Sequence, residues 1–339
     1  MAAAALVSVI MPVRDGARHL AAALDSIRRQ SLAAIEILAV DDGSRDATPA
    51  LLAAAARDEP RLRVVRQEPA GIVAALNRAV AEARAPLLAR MDADDVAWPE
   101  RLARQAAFLD AHPAVAAVGG GCRLIDRHGR VLGLWQPPTG PAEIAARLPA
   151  ENCLSHPTVT MRRAAVLQAG GYRAAFAGCE DYDLWLRLAE RHDLANLPEP
   201  VLDYRLHGGQ ATWRALEARL LAELAAVACA GRRRAGGPDP ADGVAAIDRA
   251  LLARLLPPGT DLDALLAARA LAAARAAAAV GQGRAAWAGL RLAARQRQSG
   301  LAPRLDWLRA AAIALVEAAR HQAARASAKR RSATSSQPE

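Results

Sequence analysis

Over residues 7–91 the chain alternates apolar runs with stretches of helical spacing, and that alternation leaves few folds open. Residues 7–11 (Val-Ser-Val-Ile-Met) form a buried-strand run that Pro12 is expected to stop. Residues 35–40 form a second run, ending at Asp41-Asp42-Gly43-Ser44, with 62–65 a third and 86–91 a fourth. Between them, residues 17–30 place Leu20, Leu24 and Ile27 on one helical face, and residues 47–57 and 72–83 continue the pattern, with Ser44 or Asp46 placed to cap the former. Strand–helix repetition of this kind predicts an α/β fold, a Rossmann-like and mostly parallel sheet flanked by helices.

In such sheets ligands sit beyond the carboxyl ends of the strands. Three of the four runs end there in polar groups: Arg14-Asp15, Asp41-Asp42 and Asp92-Ala93-Asp94-Asp95. Carboxylates at the mouth of a buried strand are costly unless something positive compensates them. A hard divalent cation is a natural partner, because Mg²⁺ uses one or two protein carboxylates and fills its other positions with substrate phosphates. Taken alone, Asp92-Ala93-Asp94 reads as well as a solvated acidic turn. Sharing a sheet edge with Asp41-Asp42 makes it a diphosphate-and-metal hypothesis.

Charge divides the chain in two. Residues 1–215 carry 25 basic and 25 acidic side chains, whereas residues 216–339 carry 19 and 10, so the whole net charge of +9 lies in the second part. That part reads as alanine-rich helices at 216–233, 244–256, 262–280, 284–297 and 303–326, followed by a polar, basic tail at 327–339 expected to be disordered. The boundaries drawn are therefore 1–215, 216–326 and 327–339. The basic helices could meet an anionic membrane surface or a protein partner, or form a solvated cap. Cys122, Cys153, Cys179 and Cys229 are widely spaced, which argues against a zinc site and fits a reducing cytoplasm. No basic, apolar leader opens the chain, and no uncharged run reaches the ~20 residues of a membrane span, so a soluble protein is expected. Nothing interleaves aromatic and basic residues as a nucleic-acid surface would.

Seven segments, in order along residues 6–213, together resemble family 2 glycosyltransferases: Val7–Pro12, Val40-Asp41-Asp42-Gly43-Ser44, Ala74-Ala75-Leu76-Asn77-Arg78, Ala89-Arg90-Met91-Asp92-Ala93-Asp94-Asp95, Ser155-His156-Pro157-Thr158, Glu180-Asp181-Tyr182-Asp183-Leu184-Trp185-Leu186-Arg187 and Tyr204-Arg205-Leu206-His207. The resemblance implies a GT-A fold with a nucleotide-diphospho-sugar half at about 1–95 and an acceptor half at about 96–215. It implies that Asp42 takes the nucleotide base with Asp41 as its neighbour, that Asp92 lies near the ribose, and that Asp94 ligates Mn²⁺ or Mg²⁺. Asp95 is left as a supporting or capping residue. Pro12, Arg14 and Arg78 go with nucleotide-sugar binding, as does Arg205 through charge-assisted bonds to phosphate. His207 is set beside the metal or the diphosphate.

The resemblance makes Asp181 the base that deprotonates the acceptor hydroxyl, with Glu180 beside it. Adjacent carboxylates repel, which raises one pKa toward a useful range; the plainer reading is that both acids cap the helix that follows. His156 and Trp185 are assigned to the acceptor side, His156 alternatively as a buttress. One base and no carboxylate nucleophile imply inversion by direct displacement. The acceptor would be a saccharide or a lipid-linked sugar in bacterial cell-surface polysaccharide or glycolipid synthesis, reached in the cytoplasm or at the inner face of the membrane. Two positions depart from the family pattern. Arg14-Asp15 stands where an aromatic residue and Asn are usual, which leaves the base open, although a guanidinium can stack in place of a ring. Ala70-Gly71 replaces a Gly-Gly pair. The other classes weighed are a nucleotide-sugar-binding protein without catalysis and a sugar nucleotidyltransferase.

Overall fold

The computed structural model describes residues 4–206 and 215–296. The chain divides into two compact units, one made of Met1–Arg205 with Ala225–Ala246, the other of Leu206–Leu224 with Ile247–Glu339.

In the first unit, β1 (Val7–Val13) and β2 (Ile35–Asp42) are buried along their full length, as the unbroken apolar runs require. α1 (Ala17–Arg28) buries Leu20, Leu24 and Ile27, and α2 (Thr48–Asp58) buries Leu52. β3 (Leu62–Gln67), α3 (Ile72–Glu82) and β4 (Leu87–Arg90) complete the repeating half. Asp46 acts one residue before the cap position of α2, its Oδ1 accepting the Thr48 N–H at 2.9 Å, while Ser44 Oγ accepts the amide of Asp15.

Pro12 does not stop β1; it pairs in register with Val40 and the strand runs on to Val13. The reason is directional. The Ile10 carbonyl accepts from Met91, so Ile10 faces β4 and Met11 faces β2. Pro12 then faces the β4 side again, beyond the last β1–β4 pair, Ile10 with Arg90. A missing N–H costs no ladder bond there.

The remaining elements are β5 (Val96–Ala97), α4 (Arg101–Ala111), β6 (Val115–Asp126), β7 (Val131–Trp135), α5 (Pro141–Arg147), β8 (Thr160–Arg162), α6 (Arg163–Gln168), α7 (Glu180–Leu188) and β9 (Asp193–Leu206). Among the described residues they make a nine-stranded sheet in the order β3-β2-β1-β4-β8-β6-β9-β5, with β7 on β6. The β1–β2, β1–β4 and β2–β3 pairs are parallel, as the helix-length connections dictate. From β4–β8 onward the pairs β6–β8, β6–β7 and β5–β9 are antiparallel, so the sheet is mixed. The β6–β7 reversal is closed by Asp126, whose Oδ1 accepts the amides of His128 at 2.7 Å and Arg130 at 3.0 Å.

Helices α8 (Leu216–Arg234), α9 (Arg249–Leu255), α10 (Leu262–Ala279) and α11 (Gly283–Gln296) confirm the helical character of the C-terminal region. α9 starts later than its pattern predicts, because Asp248 supplies the cap, accepting the Leu251 N–H at 2.7 Å. In the second unit α10 and α11 approach closely at small residues: a Cβ on Gly289 would lie 2.8 Å from the Ala270 carbonyl. Arg249 ties Glu217, at the start of α8, to Asp263 on α10. No helix among the described residues is long and apolar enough to cross a membrane. The expected helix at 303–326, the tail at 327–339 and His207 lie outside the described residues.

Candidate active site

The end of β2 builds a wall of fixed hydrogen bonds. Asp42 is buried, its Oδ1 accepting from Gln67 Nε2 at 2.9 Å and from the Ala70 amide at 2.8 Å, its Oδ2 from the Gly71 amide at 2.9 Å. Gln67 is its register partner on β3, which explains the first bond. Burial pushes the Asp42 carboxyl up, but the bonds from Ala70, Gln67 and Gly71 and the charge of Arg14 outweigh it and hold the group below its usual range. Arg14 lies 3.7 Å from Asp42 with its side chain half exposed. Asp41 turns the other way, its Oδ1 accepting the Ser44 amide and its Oδ2 lying 3.5 Å from Arg66. Gly43, at φ +67°, is the hinge of this turn; a Cβ there would sit 2.5 Å from the Pro69 ring, so only glycine lets the 43 and 69 backbones meet.

The end of β4 carries the acidic triplet. Ligand oxygens of Asp92, Asp94 and Asp95 lie within 4.8 Å of one another. Asp95 is buried; its Oδ1 accepts the Arg205 amide at 2.8 Å, and its Oδ2 has no hydrogen-bond partner among the described residues. Burial, then the charges of Asp92 and Asp94, push the Asp95 carboxyl well up. The same three charges, added to burial, raise the phenol of Tyr204 on β9. Behind the triplet, buried Arg90 pairs with Asp92. Burial works against its charge, but Asp92 and Asp95 outweigh it and keep Arg90 a cation. Arg101 underlies this strand end, its Nη2 donating to the Arg90 carbonyl at 2.8 Å.

The start of α7 carries the second acidic group. Glu180 and Asp181 occupy its first turn, so the helix begins at them instead of after them. Glu180 Oε2 accepts the Gly178 amide at 2.6 Å, and Asp181 Oδ2 accepts from Asn152 Nδ2 at 3.1 Å. Burial and the neighbouring Asp181 push Glu180 up to about 7, and burial raises Asp181 against bonds from Tyr182 and Asn152. The charge of Arg90 acts on both acids as well as on Asp95 and lowers all three carboxyls against their burial. His156 packs beside them, its Nε2 2.9 Å from the Tyr172 hydroxyl and its ring edge-on to Trp185 at 5.8 Å. Burial and Arg90 depress the His156 pKa well below its ordinary value, which keeps the ring neutral.

Comparison with known proteins decides the family. Residues 8–169 match the glycosyl transferase family 2 model. The O-antigen biosynthesis glycosyltransferase WbnJ of Escherichia coli is 33% identical over 208 residues, covering 60% of this chain and 80% of that protein. The amylovoran biosynthesis glycosyltransferase AmsE of Erwinia amylovora is 31% identical, covering 57% and 72%. The chain belongs to glycosyltransferase family 2. Solved structures share its GT-A fold: Staphylococcus aureus TarS in complex with UDP (TM-score 0.54, 17% identity, 88% of this chain and 93% of that one) and the Pyrobaculum calidifontis mannosyltransferase PcManGT in complex with GDP-Man and Mn²⁺ (TM-score 0.53, 20% identity, 94% and 87%). The protein is thus a glycosyltransferase, and the readings as a non-catalytic binder or a nucleotidyltransferase give way.

Several expected site residues of this glycosyltransferase occupy other surroundings. Arg78 is exposed on α3 and paired with Glu82 at 2.5 Å. Arg205 directs its Nε to the Asp94 carbonyl at 2.7 Å and its Nη1 to the Asp126 carbonyl at 3.3 Å, so it braces the acidic loop. Trp185 is fully buried and meets an acceptor only through what it packs against. Pro12 lies within β1, beside Val40. Asp95, left in the sequence as a supporting or capping residue, joins the triplet, its buried side chain accepting the Arg205 amide just after the turn at Ala93-Asp94. Arg90, Asn152, Tyr172 and Tyr204 were not assigned at all. The one signal for them is Arg90, a charge inside an otherwise apolar strand run; the others come from distant loops that no local pattern links to the acids.

Proposed function

We propose that the enzyme moves a sugar from a nucleotide-diphospho-sugar to an acceptor hydroxyl, with inversion, using Mn²⁺ or Mg²⁺, in the assembly of a cell-surface polysaccharide or glycolipid. The observation that carries this reading is the acidic cluster Asp92-Asp94-Asp95 at the end of β4, paired with buried Arg90, whose charge also acts on Glu180 and Asp181. A metal fits the triplet: its donors are hard carboxylate oxygens, and buried Asp95 Oδ2 has no hydrogen-bond partner among the described residues. When bound there, a divalent cation supplies positive charge to the departing diphosphate. The relatives' roles in O-antigen and amylovoran biosynthesis support a polysaccharide product, and neighbours solved with UDP and with GDP-Man and Mn²⁺ support the donor class while leaving the base open.

The residues then divide the work. Asp42 and the 69–71 turn form the base-binding wall, with Arg14 available to stack on the base. Asp92 and Asp94 face the ribose and the diphosphate. Asp181, half-buried and raised in pKa, accepts the acceptor hydroxyl's proton as that oxygen bonds to the anomeric carbon and the bond to the diphosphate breaks on the far side. Glu180 holds the Gly178 amide and raises the affinity of the pair for a proton. We place the enzyme in the cytoplasm, at the inner face of the membrane when the acceptor is lipid-linked; its four cysteines are buried and none is in a disulfide, in keeping with a reducing compartment. The test is nucleoside diphosphate release from UDP-glucose, UDP-galactose, UDP-GlcNAc, GDP-mannose and dTDP-rhamnose, each with Mn²⁺, Mg²⁺ or EDTA. Release from at least one donor, lost in EDTA, is expected; release undiminished by EDTA overturns the metal assignment.

A further inference from the structure

The segment Ala225–Ala246 lies outside the residues matched to the family and beyond the boundary drawn at 215, yet it belongs to the first unit. Beyond the burial of Ala225, Ala226, Cys229 and Ala230, its contribution there is ionic. Arg173, in the loop before α7, uses its whole guanidinium: Nε donates to Asp183 Oδ2 at 3.0 Å, Nη2 to Asp183 Oδ1, and Nη1 to Asp239 Oδ2 at 2.7 Å. Asp239 also accepts from Arg233 Nη1 at 2.7 Å, and Arg233 Nε donates to Glu190 Oε1 at 2.7 Å. Arg187 closes on Asp183 with Nη2 at 2.8 Å. The charges alternate along Arg187, Asp183, Arg173, Asp239, Arg233 and Glu190, and both ends of this chain lie on α7 or just after it. The Asp239 side chain is 10% exposed and that of Asp183 is 0% exposed, so solvent screens little of it.

What Arg173 holds is the loop that delivers the acids. Its guanidinium lies over the Phe176 ring, 4.5 Å from the centroid, within the short turn Ala174–Phe176. Gly178 follows at φ +87° and donates its amide to Glu180. On the other side Asn77 grips Tyr172 by both its amide (2.9 Å) and its carbonyl (2.8 Å). The loop is therefore fixed at Tyr172 by α3 and at Arg173 by Asp183 and Asp239 together, while the first turn itself is held by Asn152 on Asp181 and by the Tyr182 hydroxyl on the Leu148 carbonyl. We propose that Asp239 is a positioning residue for Glu180 and Asp181, so that the catalytic unit of this enzyme includes the end of α8 and the loop after it. This inference rests on the assignment of Asp181 as the base, and the test keeps the two apart.

The experiment compares the full chain with Asp239→Asn, Asp239→Glu and Asp181→Asn, by hydrogen exchange and by turnover of a donor from the panel above. In Asp239→Asn, amides of residues 172–183 should exchange at least tenfold faster while those of β1–β4 are unchanged. Its kcat should fall about tenfold at constant donor KM, and Asp239→Glu should recover most of the loss. A role in bulk stability alone predicts a different result, faster exchange throughout and an unchanged kcat for the folded fraction, and that overturns the proposal. So does normal exchange at 172–183 in Asp239→Asn. Full transfer by Asp181→Asn overturns the base assignment instead, and the exchange data still decide the role of Asp239.

Discussion

The amide of Arg205 donates to Asp95 Oδ1 at 2.8 Å, which anchors the end of β9 to the acidic triplet and leaves Asp95 Oδ2 for another partner. One carboxylate thus has a structural oxygen and a spare one. Asp95→Asn can keep the first through its amide carbonyl and loses charge at the second. We expect Asp95→Asn and Asp94→Ala each to weaken Mn²⁺ binding at least tenfold by titration calorimetry, with a change in Tm of a few degrees at most for Asp95→Asn. Unchanged Mn²⁺ affinity in both would move the metal elsewhere.

Asp181→Asn should bind the nucleotide donor with near-normal affinity and lose transfer by about two to four orders of magnitude, the usual worth of a positioned proton acceptor. The measurement is donor KM and kcat side by side. A parallel loss in donor binding would instead assign Asp181 to the donor site.

The α7 pair also makes a pH prediction. Glu180 sits at about 7, raised by burial and by Asp181, so ionisation of the pair is completed as pH rises through neutrality. kcat should climb on an acidic limb near pH 7. Glu180→Gln removes the like charge and should move that limb to lower pH. Stability runs the other way: a carboxyl raised in the fold contributes stability below its unfolded value near 4.5, and that contribution is lost as pH rises toward 7. Glu180→Gln should therefore flatten the fall in Tm between pH 5 and pH 8, and an identical slope in both proteins would remove the basis of this argument.

Asp183 has no solvent exposure and faces both Arg173 and Arg187. Asp183→Ala strips Arg187 of its paired carboxylate and leaves Arg173 with Asp239 alone, and should cost about 3–5 kcal/mol by chemical denaturation. A loss below 1 kcal/mol would mean that the remaining acids compensate.

Gly43→Ala adds a Cβ 2.5 Å from the Pro69 ring at a φ of +67°. The strain should be about 1–3 kcal/mol, and nucleotide binding should weaken along with Tm because the 69–71 turn must shift away from Asp42. An intact affinity with a lowered Tm would uncouple the turn from the base site.

The parallel half of the sheet could be read from the sequence because each strand there is an unbroken apolar run and each connection has helical spacing; β1, β2 and β4 end within two residues of where the runs place them. Pro12 runs against its sequence expectation because its cost depends on which side of the strand its missing N–H would face, a property of the neighbours and not of the residue. The acids were visible as motifs. Their partners were not, since Asp95 meets Arg205 across 110 positions and Arg173 meets Asp239 across 66. In the antiparallel half, the strands β5 and β8 are too short for any periodicity to register. The family match likewise stops at residue 169, before the acids of α7.

The Asp42 wall has a thermodynamic consequence. Three donors hold its carboxylate in the free protein, so the ordering of residues 67–71 belongs to folding and not to ligand capture. Binding a base against it then forfeits little chain entropy, and the heat-capacity change on nucleotide binding should be small, that of burying one ring, with no contribution from a closing loop. A wall set in advance also selects by shape: a base that does not fit has no softer arrangement of the turn to fall back on.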